Sequence, residues 1–347
     1  MTLVSVLMPT HQDMHLLERS LPALLRRSAD ELEVIIINND PSQNVRDWAQ
    51  SRLEREVTVL EMGYPSGFAR AVNAGISASG GEYIMFCNAD LFTSEAYVDE
   101  MLSFFEVHPR AGCATGKLLR YELAADRATD VIDTAGLVMN RNRRATVRGE
   151  GQKDVGQLER VEEVFGVDGA GLFARRSALE SIRIGDEYFD SSFFMYKEDW
   201  DLCWRLRLAG WECWYVPSAV AFHGRTSRGL GEKSYLSSVI EFHRNERAKP
   251  HFVRMHSMKN QWTMLLKNED GYNLVRDFPF ILARESLVLG YNLVFSPRTL
   301  IAIPRFLRLA LKTLRKRREI KRRQVVSPKE MRRWLAGERP STSSSGH

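Results

Sequence analysis

Short apolar runs alternate with helix-spaced leucines through the first hundred residues, and this pattern constrains the chain more than any other feature. Leu3–Met8 is a strand's length of apolar text closed by Pro9-Thr10. Leu16, Leu17, Leu21, Leu24 and Leu25 then fall on one helical face. Val34–Ile37 and Val57–Leu60 read as two further buried strands, the first ended by Asn38-Asn39-Asp40-Pro41. Phe68, Ala71, Val72, Ala74 and Ile76 make a helix of small residues, stopped by Gly80-Gly81. Tyr83–Cys87 is a fourth strand, ended by Asn88-Ala89-Asp90, and another helix runs from about Ser94 to Val107. This alternation predicts an α/β fold with a mostly parallel central sheet covered by helices.

Ligands of such sheets bind beyond the carboxyl ends of the strands. Thr10, Asn38 to Asp40 and Asn88 to Asp90 all fall there. Any one of them reads equally well as ordinary capping. Three strand ends of this kind in succession point to a ligand edge. No GxGxxG or GxxxxGK[ST] follows a strand, which disfavours a dinucleotide fold or a P-loop.

Residues 120–165 read as a hairpin-and-loop excursion crowded with Arg141, Arg143, Arg144 and Arg148, and nothing in them names a reaction. Strand-like text returns at Asp168–Ala174. Glu198, Asp199 and Asp201 then open a helix whose apolar positions are Leu202, Leu206 and Leu208. Acids in a first helical turn are partly explained by the helix dipole. Here Phe193, Phe194, Tyr196, Trp200 and Trp204 surround them. Rings that stack on sugar faces, beside a carboxylate that moves a proton, suit a sugar-handling site. The bland alternative is an aromatic core beside capping acids. His223 follows a later strand expected to end on the same sheet edge.

The 347 residues are 44% hydrophobic and 27% charged, which excludes a collagen, a mucin-like stalk or a wholly disordered chain. Four cysteines without a CxxC pair disfavour a disulfide scaffold and a structural zinc site, so a reduced, cytoplasmic compartment is expected. MTLVSVLMPT lacks the basic start of a signal peptide. The net charge of +5 hides a split: residues 1–232 sum to −10 and residues 233–347 to +15. Residues 235–275 look helical. Phe278–Phe295 is apolar but contains Arg284 and Glu285, which argues against a full membrane span. Ile301–Leu314 mixes apolar residues with Arg305, Arg308 and Lys312, and RKRREIKRR follows with seven basic residues in nine. That pairing predicts a helix lying in an anionic membrane surface. Nucleic acid is the rival partner, but no RNP, zinc-finger or GXXG motif accompanies the basic patch. The expected organisation is a catalytic domain at 1–232, a helical, membrane-associating region at 233–335 and a disordered tail at 336–347. Removing residues 301–347 is expected to reduce membrane recruitment while leaving turnover on a short soluble acceptor largely intact.

VSVLMPT at 4–10, EVIIINND at 33–40, GFARAVNAGISASGGEYIMFCNAD at 67–90, VDGAGLFARRSAL at 167–179 and FDSSFFMYKEDWDLCWRLRLAGWECWYVPSAVAFH at 189–223 together resemble the family 2 glycosyltransferases, inverting enzymes of the GT-A fold. The resemblance covers about residues 1–230 and is greatest to the rhamnosyltransferase-like branch, which builds bacterial polysaccharides. It implies a nucleotide-sugar donor and a glycan or polyprenyl-diphosphate-linked acceptor, and a place on the inner face of the plasma membrane. Asp90 and His223 would hold Mg²⁺ or Mn²⁺ under the donor diphosphate. Thr10, Asn38, Asp40, Arg70, Asn73 and Asn88 would surround the nucleotide. Asp199 would be the general base, with Tyr196, Glu198 and Trp200 shaping the acceptor pocket, and Glu198 is free to orient an acceptor hydroxyl or pair with Arg205. Two positions depart from the family. Asn38 stands where an Asp usually meets the base, so Asp40 is a candidate substitute, and Asn88 opens the NxD form of the DxD motif. dTDP-L-rhamnose is the preferred donor, with UDP-galactofuranose, UDP-hexoses and GDP-sugars as alternatives. A non-catalytic glycan-binding or scaffold protein on the same fold is the reading of a different class, and it predicts that Asp90, Asp199 and His223 do not converge. Homo-oligomerisation is left open.

Overall fold

The computed structural model describes residues 3–28, 31–224, 246–247 and 249–336. The expected tail therefore lies outside the described residues from 337 onward, as does all of 235–245. The chain opens β1 (Val4–Thr10), α1 (Met14–Leu25), β2 (Leu32–Asn38), α2 (Val45–Arg52), β3 (Thr58–Glu61), α3 (Phe68–Ala78) and β4 (Tyr83–Phe86). It continues with β5 (Leu91–Thr93), α4 (Tyr97–Val107) and β6 (Ala111–Glu122), and then with β7 (Arg127–Thr134), the β8 (Leu137–Met139) and β9 (Ala145–Val147) hairpin and β10 (Glu162–Glu163). After a 3₁₀ turn at Gly169–Gly171 come β11 (Phe173–Arg175), α5 (Arg176–Ile182), α6 (Glu198–Leu208) and β12 (Glu212–His223).

The main sheet runs in the order β10-β12-β6-β11-β4-β1-β2-β3. β3, β2, β1 and β4 are mutually parallel, as are β6 and β12. Antiparallel β11 joins the two parallel blocks. Strands buried on both faces explain why the sequence shows continuous apolar runs rather than alternation. Val4, Val6 and Met8 face a core shared with α1 and α4. Leu7, Ile35 and Ile37 face the opposite core, shared with α3, α5 and α6. That second core also gathers the thiols of Cys113, Cys203 and Cys213, whose sulfurs lie within 4.8 Å of one another. The scattered spacing of these cysteines had concealed the cluster.

Four more α-helices follow among the described residues: α7 (His251–Asn268), α8 (Gly271–Phe295), α9 (Ala302–Arg323) and α10 (Pro328–Leu335). They do not form the separable appendage expected from the charge split. Met264, Ile320, Met331, Trp334 and Leu335 share a core with Phe165, Trp204 and Leu208 of the sheet domain. Buried ion pairs reinforce that junction. Lys267 reaches Asp190 at 2.6 Å and Asp201 at 2.8 Å, and Lys316 reaches Asp190 at 2.6 Å. Arg143, fully buried, bonds Glu269 and lies 2.8 Å from Asp277, which Arg141 and Arg332 also contact. The arginine-rich excursion is thus the receptor for the C-terminal helices. Part of the basic run at 315–323 is internal for the same reason, since Lys316 is buried and Arg317 donates to Leu266 O at 2.9 Å. Removing residues 301–347 would strip Ile320, Met331, Trp334 and Leu335 from the third core, together with the Lys316–Asp190 and Arg332–Asp277 pairs.

The outer side of the C-terminal helices is apolar. Leu274, Val275, Phe278, Phe280, Leu282 and Leu287 are exposed on α8, as are Leu307 and Leu311 on α9. α8 is long and apolar enough to cross a membrane by length and composition, and 17% of its most apolar window is buried. Arg284 and Glu285, which argued against a span, pair with each other.

Candidate active site

The end of β12 pairs with both β6 and β5, and the β5 pairing sets His223 opposite Leu91, the neighbour of Asp90. His223 Nε2 lies 3.3 Å from Asp90 Oδ1, and Gly224 N donates to Asp90 O at 2.8 Å. Both side chains are buried. The other ring nitrogen, Nδ1, is 2.8 Å from Asp133 Oδ2 at the end of β7. Desolvation alone would lower the imidazole pKa, but the bonds to Asp133 and Asp90 outweigh it and hold it at about 10. Two ligand atoms at right angles on one divalent ion, each bonded at about 2.1 Å, stand about 3 Å apart. The Asp90–His223 separation fits such an ion. A carboxylate behind the imidazole is also the usual way a metal-bound histidine is oriented. Asp133 was not anticipated, because nothing in DVIDTAG distinguishes it from a strand-end acid.

The remaining donor-side residues divide into two groups. Thr10 donates its hydroxyl to Asp13, which also accepts from His11 N at 2.7 Å. Burial, and secondarily the charge of Asp90, raise the Asp13 carboxyl above its ordinary pKa, so this unanticipated acid belongs to the same edge. Asn88 follows β4, and its N–H donates to Ala170 O at 3.2 Å. Arg70 is exposed in the first turn of α3. Asn38 and Asn73 instead spend their amides on the protein. Asn38 Nδ2 donates to Gln43 O at 2.8 Å and Glu61 Oε2 at 2.7 Å, and its Oδ1 accepts from Asp40 N at 3.1 Å. Asn73 clamps the 188–191 segment, donating to Phe189 O at 2.8 Å and accepting from Tyr188 N and Phe189 N. Asp40 Oδ1 accepts from Ser42 N and Oγ, which lowers its pKa. Its Oδ2 is buried with no hydrogen-bond partner in the protein.

Glu198 and Asp199, the acids expected on the acceptor side, sit at the head of α6. Asp199 Oδ2 accepts from Gly169 N at 3.2 Å, and Oδ1 accepts from Trp200 N at 2.8 Å. The next residue of that turn, Ala170, receives Asn88 N, so one 3₁₀ turn links the Asp199 carboxylate to the Asn88–Asp90 loop. Burial and the Asp168 charge raise Asp199 to about 7. Burial and the Asp199 charge raise Glu198 to about 8. The two acids therefore titrate as a pair near neutrality. Glu198 Oε2 is buried without a protein partner. Arg205 pairs with Asp201 at 3.0 Å and not with Glu198.

Tyr196 and Lys197, immediately before α6, both adopt left-handed backbone at φ 67° and 71°. Each such non-glycine residue costs on the order of 1–2 kcal/mol. Asn260 of α7 holds the turn by donating to Met195 O and Tyr196 O, each at 2.8 Å. Lys197 Nζ sits 4.1 Å from the Trp200 ring centre. Gly67, at φ 80°, starts α3 against the same loop, and a Cβ there would meet Phe194 O at 2.4 Å. Both the sheet domain and the C-terminal helices therefore position the acceptor-side acids.

The glycosyl transferase family 2 model matches residues 5–182. The N-acetylglucosaminyl-diphospho-decaprenol L-rhamnosyltransferase of Mycobacterium tuberculosis is 29% identical over 250 residues, which cover 64% of this chain and 76% of that protein. The poly-beta-1,6-N-acetyl-D-glucosamine synthase of Staphylococcus epidermidis is 23% identical over 225 residues, covering 63% of this chain and 49% of that protein. Among solved structures, GalNAc-T7 with UDP, GalNAc and Mn²⁺ superimposes with a TM-score of 0.57 at 11% identity, over 84% of this chain and 54% of the other. S. aureus TarS 1-349 does so with a TM-score of 0.50 at 13% identity, over 97% and 90%. These two share the fold. With the family match spanning just over half of its length, the chain belongs to glycosyl transferase family 2 and is a glycosyltransferase.

Proposed function

We propose that the chain is an inverting, cation-dependent glycosyltransferase that moves L-rhamnose from dTDP-L-rhamnose to a hydroxyl of a polyprenyl-diphosphate-linked saccharide. The observation that carries the reading is the 3.3 Å approach of His223 to Asp90, joined through the 169–171 turn to a buried Asp199. The rhamnosyltransferase relative supports the donor and the lipid-linked acceptor.

Asp90 and His223 would hold Mg²⁺ or Mn²⁺, with Asp133 fixing the imidazole. The bound cation would offset charge on the departing nucleoside diphosphate. Asp40 Oδ2, buried and unpartnered, suits the N3–H of a thymine or uracil, the role the family gives to the position of Asn38. Asp199, held by Gly169 N and Trp200 N, takes the proton of the acceptor hydroxyl as that oxygen attacks the anomeric carbon from the face opposite the leaving group. Protonated Glu198 can donate to a neighbouring acceptor oxygen. Trp200 and Tyr196 would line the acceptor sugar's side.

The apolar outer face of α8 and α9 supports a peripheral place on a membrane, with exposed Arg308, Arg315 and Arg318 toward anionic headgroups. The test of function is nucleoside diphosphate release across dTDP-, UDP- and GDP-sugars with Mg²⁺ or Mn²⁺ and a lipid-linked acceptor. Release that is highest with dTDP-L-rhamnose supports the reading, and release confined to another donor overturns the donor assignment.

A further inference from the structure

Between the acceptor-side turn and the C-terminal helices lies an open cleft that the sugar chemistry does not use. Lys197, Lys249, Arg254 and Arg284 line it, against two acids, Glu246 and Glu285. Both acids are already engaged. Glu246 accepts from Lys249 at 2.8 Å, and Glu285 accepts from Arg284 and from Trp262 Nε1 at 2.7 Å. Arg254 donates to Glu246 O at 2.7 Å and to Ser296 Oγ at 2.9 Å. The Nε groups of Arg254 and Arg284 are nevertheless buried without a partner. The charges of the described lining residues sum to +2, and the Nε groups of two guanidiniums among them are unpartnered. An orphaned buried donor is costly unless a ligand supplies its acceptor.

The position is specific. Lys197 directly precedes Glu198 and Asp199, so the cleft adjoins the proposed base. Its opposite wall is α8, through Val288 and Asn292, where neighbouring Leu287, Leu289 and Leu293 are exposed. One end therefore meets the acceptor hydroxyl's site and the other an apolar helix face.

We propose that this cleft is the diphosphate subsite for the lipid-linked acceptor. Arg254 and Arg284 bind the diphosphate oxygens, and the isoprenoid chain leaves along the apolar face of α8. The proposal rests on the glycosyltransferase reading above and adds to it where the carrier sits.

Farnesyl diphosphate, titrated with EDTA present to disable cation-dependent binding at the donor site, is the probe, read by tryptophan fluorescence. Saturable binding that farnesol does not reproduce is expected. Arg284→Gln should weaken it about tenfold or more, as for loss of a charge-assisted bond. Arg254→Gln should act in the same direction, and Arg322→Gln, an exposed charge removal on α9, should leave it unchanged. Equal binding of farnesol, or unaltered affinity in both cleft variants with native melting profiles, would overturn the subsite. Vesicles of phosphatidylglycerol and phosphatidylcholine separate carrier from bulk headgroup: if Arg284→Gln loses anionic-vesicle binding by the same factor, the cleft reads headgroups and the carrier assignment fails. Sugar transfer by the unmodified enzyme discriminates the two levels. Transfer without farnesyl diphosphate binding removes the subsite alone, whereas binding without transfer from any donor removes the reading beneath it.

Discussion

Lys267 Nζ lies 2.8 Å from Asp201 Oδ2, and this buried pair ties the helix that carries the proposed base to the C-terminal helices. Asp201 also receives Arg205 at 3.0 Å and Asn268 at 2.8 Å. It is therefore an anchor, where its place beside Glu198 and Asp199 had suggested a cap. Removing one member leaves the others buried and uncompensated. Asp201→Ala or Lys267→Ala should cost about 3–5 kcal/mol of stability, measurable as a shifted urea midpoint. A loss under about 1 kcal/mol would mean that the pair does not hold the two regions together.

Asn260 supports the strained turn at Tyr196 and Lys197 from α7. Asn260→Ala should let the turn relax and misplace Asp199. An ångström of displacement can cost on the order of 10²-fold in rate. The expected signature is a fall in kcat with donor affinity retained, from steady-state kinetics beside calorimetric donor binding. A proportional loss of donor binding would point instead to general unfolding.

Asp133 touches the proposed cation site through His223. Asp133→Asn keeps the shape and removes the charge that orients the ring. Cation affinity should fall about 10–100-fold, read by titration of Mn²⁺. Chelation with EDTA should stop transfer, and added Mg²⁺ or Mn²⁺ should restore it. Transfer that persists in EDTA would eliminate the cation from the account.

The acids of α6 set the pH response. Asp199 must be ionised to act, so the transfer rate should rise with pH through about 7, and Glu198→Gln should leave that limb in place because Glu198 is still protonated there. Stability runs the other way. Both carboxyls have folded pKa values above their unfolded ones, so their contribution is complete below the unfolded values and is lost as pH rises through about 7 to 8. Asp199→Asn should therefore be more stable than the parent at pH 8, by thermal melting, and nearly equal to it at pH 4. A variant less stable at pH 8 would contradict the sign.

The alternating half was legible because β1, β2 and β4 are buried on both faces and end in polar turns, patterns that local text preserves. The convergence of Asp90 and His223 was legible from strand order. Asp133 and Asp13 were not, because each acts through a partner distant in sequence or through a loop without periodicity. The family resemblance implied nucleotide contacts for Asn38 and Asn73; local text could not show that their amides also bond Glu61 and Phe189, far along the chain. Charge asymmetry suggested a separable basic region. It could not reveal that Arg143, Lys267 and Lys316 are buried against acids of the opposite segment.

The most direct test of the central claim is a comparison of Asp199→Asn with the parent in transfer from dTDP-L-rhamnose to a lipid-linked acceptor, with product configuration read by NMR. The account predicts an inverted anomeric centre, a rate loss of about 10²–10⁴ in the variant and nearly unchanged donor affinity. A variant that keeps more than about a tenth of parental transfer, while Glu198→Gln abolishes it with donor binding intact, would move the base to Glu198 and contradict the account.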